Sequence, residues 1–206
     1  MVVFLFRTLS HKKKMDELFE FFQRTTLKKE LSSRLPLFYE QATRQFFYKK
    51  SSFIERFQII ENHFDYLEGK VDNKLIRKFY LEGGLGIWKG SFEDTSLFLY
   101  LTFEPGQKKE GLLSLMLKLP TLNLYQIVFW FAPDPVDKSP AMWIGAKQGP
   151  SSDNAQEIIR QLTKNFHGYR TKNLILYASQ VLANVLGVSS IYAVSDDGYY
   201  ANNHFR

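Results

Sequence analysis

Apolar residues in the first third of the chain recur at helical spacing. Within residues 14–31, Met15, Leu18, Phe19 and Phe22 lie three or four positions apart, and Leu27 and Leu31 follow less regularly. That spacing predicts a helix. Pro36 interrupts it. Residues 37–50 predict a second helix, with Phe38, Ala42, Gln45 and Phe46 on one side. Residues 51–68 predict a third, capped by Ser51 or Ser52, with Phe53, Phe57, Ile60 and Phe64 in register and Gly69 as its stop.

The texture changes near residue 79. Gly83, Gly84, Gly86 and Gly90 punctuate a turn-rich stretch, and strand-like runs follow. These are 96–103, then 111–119 with Leu113, Leu115, Leu117 and Leu119 alternating against Ser114, Met116 and Lys118, then the nearly all-apolar 124–132. Short links make them antiparallel neighbours. A fourth strand, 141–146, follows a loop holding Pro133, Pro135 and Pro140. Two helices come next. The first has Asn154 and Glu157 as a capping-box variant and a stripe of Ala155, Ile158, Ile159, Leu162 and Phe166. The second runs from about Thr171 to Gly187, with a stripe of Leu174, Tyr177, Ala178, Val181, Leu182 and Val185. Residues 190–195 close the pattern as a strand parallel to 141–146. The fold class is α+β: a helical region over 1–78, then a mixed sheet region over 79–206 made of an antiparallel meander and a βαβ-like end. The two are expected to form one continuous domain.

Composition narrows the function classes. The 206 residues include 19 Phe, 11 Tyr and 3 Trp but no Cys, which excludes a disordered chain, a disulfide framework and thiol or iron–sulfur chemistry. The net charge of +6 is mild. It permits contact with an anionic membrane surface, and nucleic acid is not expected because no helix-turn-helix or aromatic ladder accompanies it. The cations cluster early, at Lys12, Lys13, Lys14, Arg24, Lys28, Lys29, Lys49 and Lys50. The plain reading is a solvated helical face; the sharper one is a surface facing phosphates or lipid headgroups. No apolar run is long enough to span a bilayer, and the apolar start precedes its charges, the reverse of a secretory signal. A cytoplasmic protein, peripheral at the inner membrane, is the expected address.

Two loops carry candidate chemistry. Ile144 to Ser152, with Gln148, Gly149 and Ser151, sits between a strand end and a helix start. Small residues there admit a ligand, and helix amides favour anions. It is neither a P-loop nor a Rossmann fingerprint. The second loop holds His167, Gly168, Arg170 and Lys172 at the mouth of the next helix, a cradle for phosphate or carboxylate. For both, the plain reading is a structural turn. His63 is read as a packed helical residue rather than a ligand. His204 beside Asp196 and Asp197 has the ingredients of a general base. The four His have no metal-like spacing, and Ser195 lacks a nucleophile elbow. No catalytic residue is assigned.

At these loops the chain resembles the VirK/YbjX family of Gram-negative bacteria, a domain of unknown function. The residues that carry the resemblance are Ile144-Gly145-Ala146-Lys147-Gln148-Gly149-Pro150, His167-Gly168-Tyr169-Arg170-Thr171-Lys172-Asn173-Leu174 and Ile191-Tyr192-Ala193-Val194-Ser195. Lys147, Tyr169 and Thr171 depart from the family wording. Arg56 to His63, with Tyr66 and Leu67, resembles an upstream helical stretch of the family. The resemblance implies a role in cell-envelope remodelling, virulence and tolerance of cationic antimicrobial peptides. It also implies that members continue past the point matching Arg206, so a truncated chain is expected. The element order is similar to that of the acetyltransferase (GNAT) superfamily, in which loop and helix amides hold the donor's pyrophosphate. That likeness implies an acyltransferase using acyl-CoA or acyl carrier protein, with Gln148–Ser152 or Gly168–Lys172 at the donor. The alternative is a non-catalytic factor that binds an anionic membrane, an envelope component or a protein partner.

Overall fold

The computed structural model describes residues 11–92, 95–150 and 154–203. Among them are seven α-helices and one six-stranded sheet. Helices α1 (Lys12–Gln23), α2 (Thr26–Arg34), α3 (Leu37–Thr43), α4 (Phe53–Lys70) and α5 (Asn73–Leu81) come first. Strands β1 (Leu85–Phe92), β2 (Thr95–Thr102), β3 (Leu113–Lys118), β4 (Asn123–Pro133) and β5 (Pro140–Gln148) form the meander. Helices α6 (Ala155–Asn165) and α7 (Thr171–Leu186) then lead to β6 (Ser190–Ala193). The strands lie in chain order, all antiparallel except β5 and β6, which are parallel. The α+β class, the meander and the parallel closing pair are therefore as the sequence predicts.

Several boundaries differ, each for a local reason. The helix expected over 14–31 breaks at Thr25, which is extended and whose hydroxyl accepts from the Lys28 N–H, so it caps α2 instead of continuing α1. The helix expected over 37–50 stops at Thr43. Phe47 and Lys50 have φ of 68° and 60°, and the intervening chain is held by the Lys109 carbonyl, which accepts from Phe47 N–H at 2.7 Å. Gly69 does not stop α4; it lies in the last turn, and Val71 is the C-cap. Helix α5 and strand β1 are not signalled by the turn-rich reading. Asp72 caps α5 through the Lys74 N–H, and β1 tolerates its glycines because β2 supplies the ladder. Asn154 makes no side-chain cap bond.

Cross-strand register builds the core. Leu101, Leu115 and Ile127 lie in one row, as do Leu113 and Phe129, and these positions are buried. Helices α4 and α7 pack on β4. The alternation in β3 predicts a half-buried strand, yet Ser114 and Met116 are buried as well. The segment after α3 covers the other face of the sheet: Phe47 meets Trp130 edge-on at 5.4 Å. The stripe expected on α7 is rotated. Its buried positions are Thr171, Ile175, Ser179 and Ala183; of the expected stripe, Leu174, Ala178 and Leu182 pack half-buried against the core, while Tyr177, Val181 and Val185 are exposed. Ile175 fills the core while the small Ser179 and Ala183 let the second half of the helix approach the sheet closely.

Candidate functional site

The Ile144–Ser152 loop divides in two. Gly145 is needed by the protein itself: a Cβ there would lie 1.8 Å from the Glu110 carbonyl oxygen and 2.8 Å from the Trp130 ring. The small residue admits backbone, not a ligand. Gln148 and Gly149, by contrast, line a cavity of about 490 Å³ at the β3–β4 hairpin, together with Gln107, Lys118, Asn123 and Gln126. Gln107 and Gln148 exchange amide hydrogen bonds of 2.8 and 2.6 Å. Gln126 is 9% exposed, and its Nε2 is buried without an acceptor among the described residues. Ser151 and His204 lie outside the described residues.

His167, Gly168, Arg170 and Lys172 are all exposed at the α6–α7 turn. His167 and Gly168 have φ of 52° and 87°, and their N–H groups donate to the carbonyls of Lys164 and Thr163, closing α6. Arg170 is the N-cap of α7 without a side-chain cap bond. The two candidate loops flank α6, whose 11 residues span roughly 16 Å. The structure therefore does not bring them together through a shared contact among the described residues.

A third locus lies where β5 and β6 part. Their parallel pairing runs from Ala141 and Ser190 to Ile144 and Ala193, and Val194 N–H still donates to Ile144 O at 2.9 Å. Beyond that point β5 continues to Gln148 paired to β4, while the other chain turns away at Ser195. A cavity of about 600 Å³ opens beside this fork, walled by Ile59, Trp130, Trp143 and Val194, with Glu55 and Ser195 among its polar lining. Trp130 and Trp143 are nearly parallel, 8° apart with centroids at 6.4 Å, and Tyr192 stacks on Trp143 at 4.6 Å. Glu55 is held below the usual carboxylate range by the Ser52 hydroxyl and N–H, which it engages in a capping box. Burial raises the Tyr48 hydroxyl at the same wall.

His63 proves to be structural. Its ring is fully buried, and burial pushes its pKa down to about 3, so it is neutral. The β3 ladder ends with Leu112 N–H donating to Phe129 O, and the next free β4 donor, Phe131 N–H, donates to His63 Nδ1 at 3.1 Å. Nδ1 is thus the bare nitrogen, and Nε2–H donates to the Tyr80 hydroxyl at 2.6 Å. Helix α4 occupies the place that β3 vacates, and His63 completes the ladder.

Lys28 leaves the expected basic face. It is 4% exposed and pairs with Asp65 at 2.6 Å and Glu68 at 2.5 Å. Lys12, Lys13 and Lys14 instead cluster with Ser52, Phe53 and Ile54 where α1 and α4 begin, and His11 meets the Phe53 ring at 4.5 Å. Among the described residues no group of three or more His, Asp or Glu is placed to hold a metal ion, and no helix is long and apolar enough to cross a membrane.

The comparisons agree with the resemblance carried by the two loops. The family model described as "Protein of unknown function (DUF535)", the VirK/YbjX family, matches residues 1–206. The chain belongs to this family. It is also 31% identical over 96 residues to a Mannheimia haemolytica protein named "Membrane protein LapB", a match covering 47% of this chain and 41% of that protein. The chain therefore matches about two fifths of that relative's length. No solved structure matches.

Reasoning from the sequence missed Gln107, Lys118 and Gln126 at one cavity, and Ile59, Trp130 and Trp143 at the other. One signal was available: Gln126 is the polar residue inside the apolar run 124–132. Buried polar groups in such runs carry a cost, so their position calls for an explanation.

Proposed function

We propose that this VirK/YbjX-family protein is a GNAT-like acyltransferase of the bacterial envelope that takes an acyl thioester, as acyl-CoA or acyl carrier protein. The observation that supports the reading is the fork: a parallel pair that separates after Ile144 and Ala193 beside an aromatic-walled cavity. An opened parallel pair offers unpaired backbone groups to an extended donor, and the apolar wall suits its acyl chain. The α6–α7 turn, with Arg170 and Lys172 at a helix start, is assigned to the donor's phosphates. The acyl group passes from the thioester sulfur to an acceptor amine or hydroxyl, and the thiol leaves. Positioning supplies most of the rate. An envelope acceptor agrees with the virulence and antimicrobial-peptide tolerance that the family resemblance implies. The test is thermal unfolding with acetyl-CoA, long-chain acyl-CoA or acyl carrier protein. A donor at a hundredfold excess over its Kd raises the midpoint by about 5–10 °C. Val194→Trp and Arg170→Ala abolish the rise. No shift with any of the three donors overturns the reading.

A second reading is a non-catalytic factor peripheral at an anionic membrane. It is favoured by the Lys12–Lys14 cluster beside Ile54, which is 53% exposed. Cations flanking an exposed apolar side chain suit anionic headgroups. Pelleting with phosphatidylglycerol vesicles, lost at high salt and in a Lys12→Glu/Lys13→Glu variant, supports it; no pelleting at low salt refutes it.

A further inference from the structure

We infer that the cavity at the β3–β4 hairpin binds a hydroxyl-rich ligand of the saccharide class. The claim concerns binding alone and does not rest on acyl transfer. The cavity, at about 490 Å³, falls within the ordinary range of small-molecule sites, roughly 300–1,000 Å³. Four carboxamides line it: Gln107, Asn123, Gln126 and Gln148. Among the described residues Lys118 is the one charged residue in the wall, and its ammonium lies 5.1 Å from the Tyr100 ring centroid.

A carboxamide presents two N–H donors and one acceptor oxygen in a single plane. A sugar hydroxyl donates one hydrogen bond and accepts others, so amides pair with it in either sense. A phosphate oxygen without a proton only accepts, so it would use the amide N–H groups but leave the carboxamide oxygens of the wall without donors, and one lysine is little charge to hold it. An alkyl chain would strand the amides without partners.

Two features make the site built rather than incidental. Gln107 and Gln148 lock each other by reciprocal hydrogen bonds. Each therefore keeps one N–H and one lone pair free of that pairing, at a fixed orientation. Gln126 faces Gln148 across the β4–β5 ladder, and its buried Nε2 has no acceptor among the described residues. A buried polar atom without a partner in a native fold requires a reason, and an acceptor brought by a ligand, met once the Gln126 amide turns toward the cavity it lines, is one.

The test is saturation-transfer NMR on the whole chain with glucose, galactose and N-acetylglucosamine and their short oligomers, and with adenosine as comparison. Binding of inorganic phosphate is followed by its phosphorus linewidth. Transfer to at least one saccharide is expected. It weakens about fivefold in Gln126→Leu and in Gln148→Ala, the loss of one or two hydrogen bonds, and persists in Arg170→Ala. Gln126→Leu keeps side-chain volume and adds no buried polar group, and circular dichroism with an unchanged urea midpoint verifies its fold. Gln148→Ala, at a half-buried position, provides the second variant. Three results overturn the inference: no transfer to any saccharide, transfer untouched by both glutamine changes, or binding confined to adenosine or phosphate.

Discussion

Replacing His63 tests how α4 is joined to the sheet. In His63→Ala, Phe131 N–H loses its acceptor and the Tyr80 hydroxyl loses its partner, both in a fully buried place. Each stranded group costs about 1–3 kcal/mol. The lost ring also leaves a void where it stacks on Phe131 at 5.6 Å and meets Phe64 edge-on at 5.3 Å. Together these give about 3–5 kcal/mol, a large share of a total stability of about 5–15 kcal/mol. Urea denaturation followed by tryptophan emission reads it. The pH dependence is the sharper test. The folded His63 pKa is about 3, against about 6.5 when unfolded. Below about pH 6.5 the unfolded chain takes up a proton that the native chain does not. The contribution of neutral His63 is therefore whole above that pH and falls as pH drops toward 3, by about 1.4 kcal/mol per unit. In His63→Gln this slope disappears, while carboxylate contributions stay common to both proteins. A variant losing less than about 1 kcal/mol at pH 7, with the slope between pH 6 and pH 4 unchanged, would refute the ladder role.

Other outcomes follow from the packing. Gly145→Ala drives a Cβ into the Glu110 carbonyl and costs about 3 kcal/mol, read by urea midpoint. Ser52→Ala removes one half of the α4 capping box and lowers stability by about 1 kcal/mol. Tyr177→Asp lies on the exposed row of α7 and changes stability by less than about 0.5 kcal/mol. A larger loss would mean that this row is covered.

The sheet was legible because its signals are local. Alternation over 111–119 and the apolar run 124–132 place β3 and β4 within a residue or two. The helical breaks were not, because they depend on one hydroxyl at Thr25 and on left-handed residues at Phe47 and Lys50 that no periodicity reports. Strand β1 escaped because its glycines read as turns while its pairing comes from β2. The rotation of α7 reflects close approach through Ser179 and Ala183, a tertiary preference. Of the candidate site residues, Gln148 and Gly149 line a cavity, whereas the His167–Lys172 group stays on the surface. Their cavity partners come from β2–β4 loops and strands, which sequence spacing does not join.

The chain-order sheet also bears on how the protein is made. Each of strands β2 to β5 pairs with the one synthesised just before it, so the meander can assemble as it leaves the ribosome. Strand β6 differs, because its partner β5 waits until two helices have been made. During that interval β5 holds an unpaired edge that starts with Ala141 and Met142, apolar residues able to recruit a strand from a neighbouring chain. The rate at which α6 and α7 form thus sets how long a nascent chain remains open to aggregation.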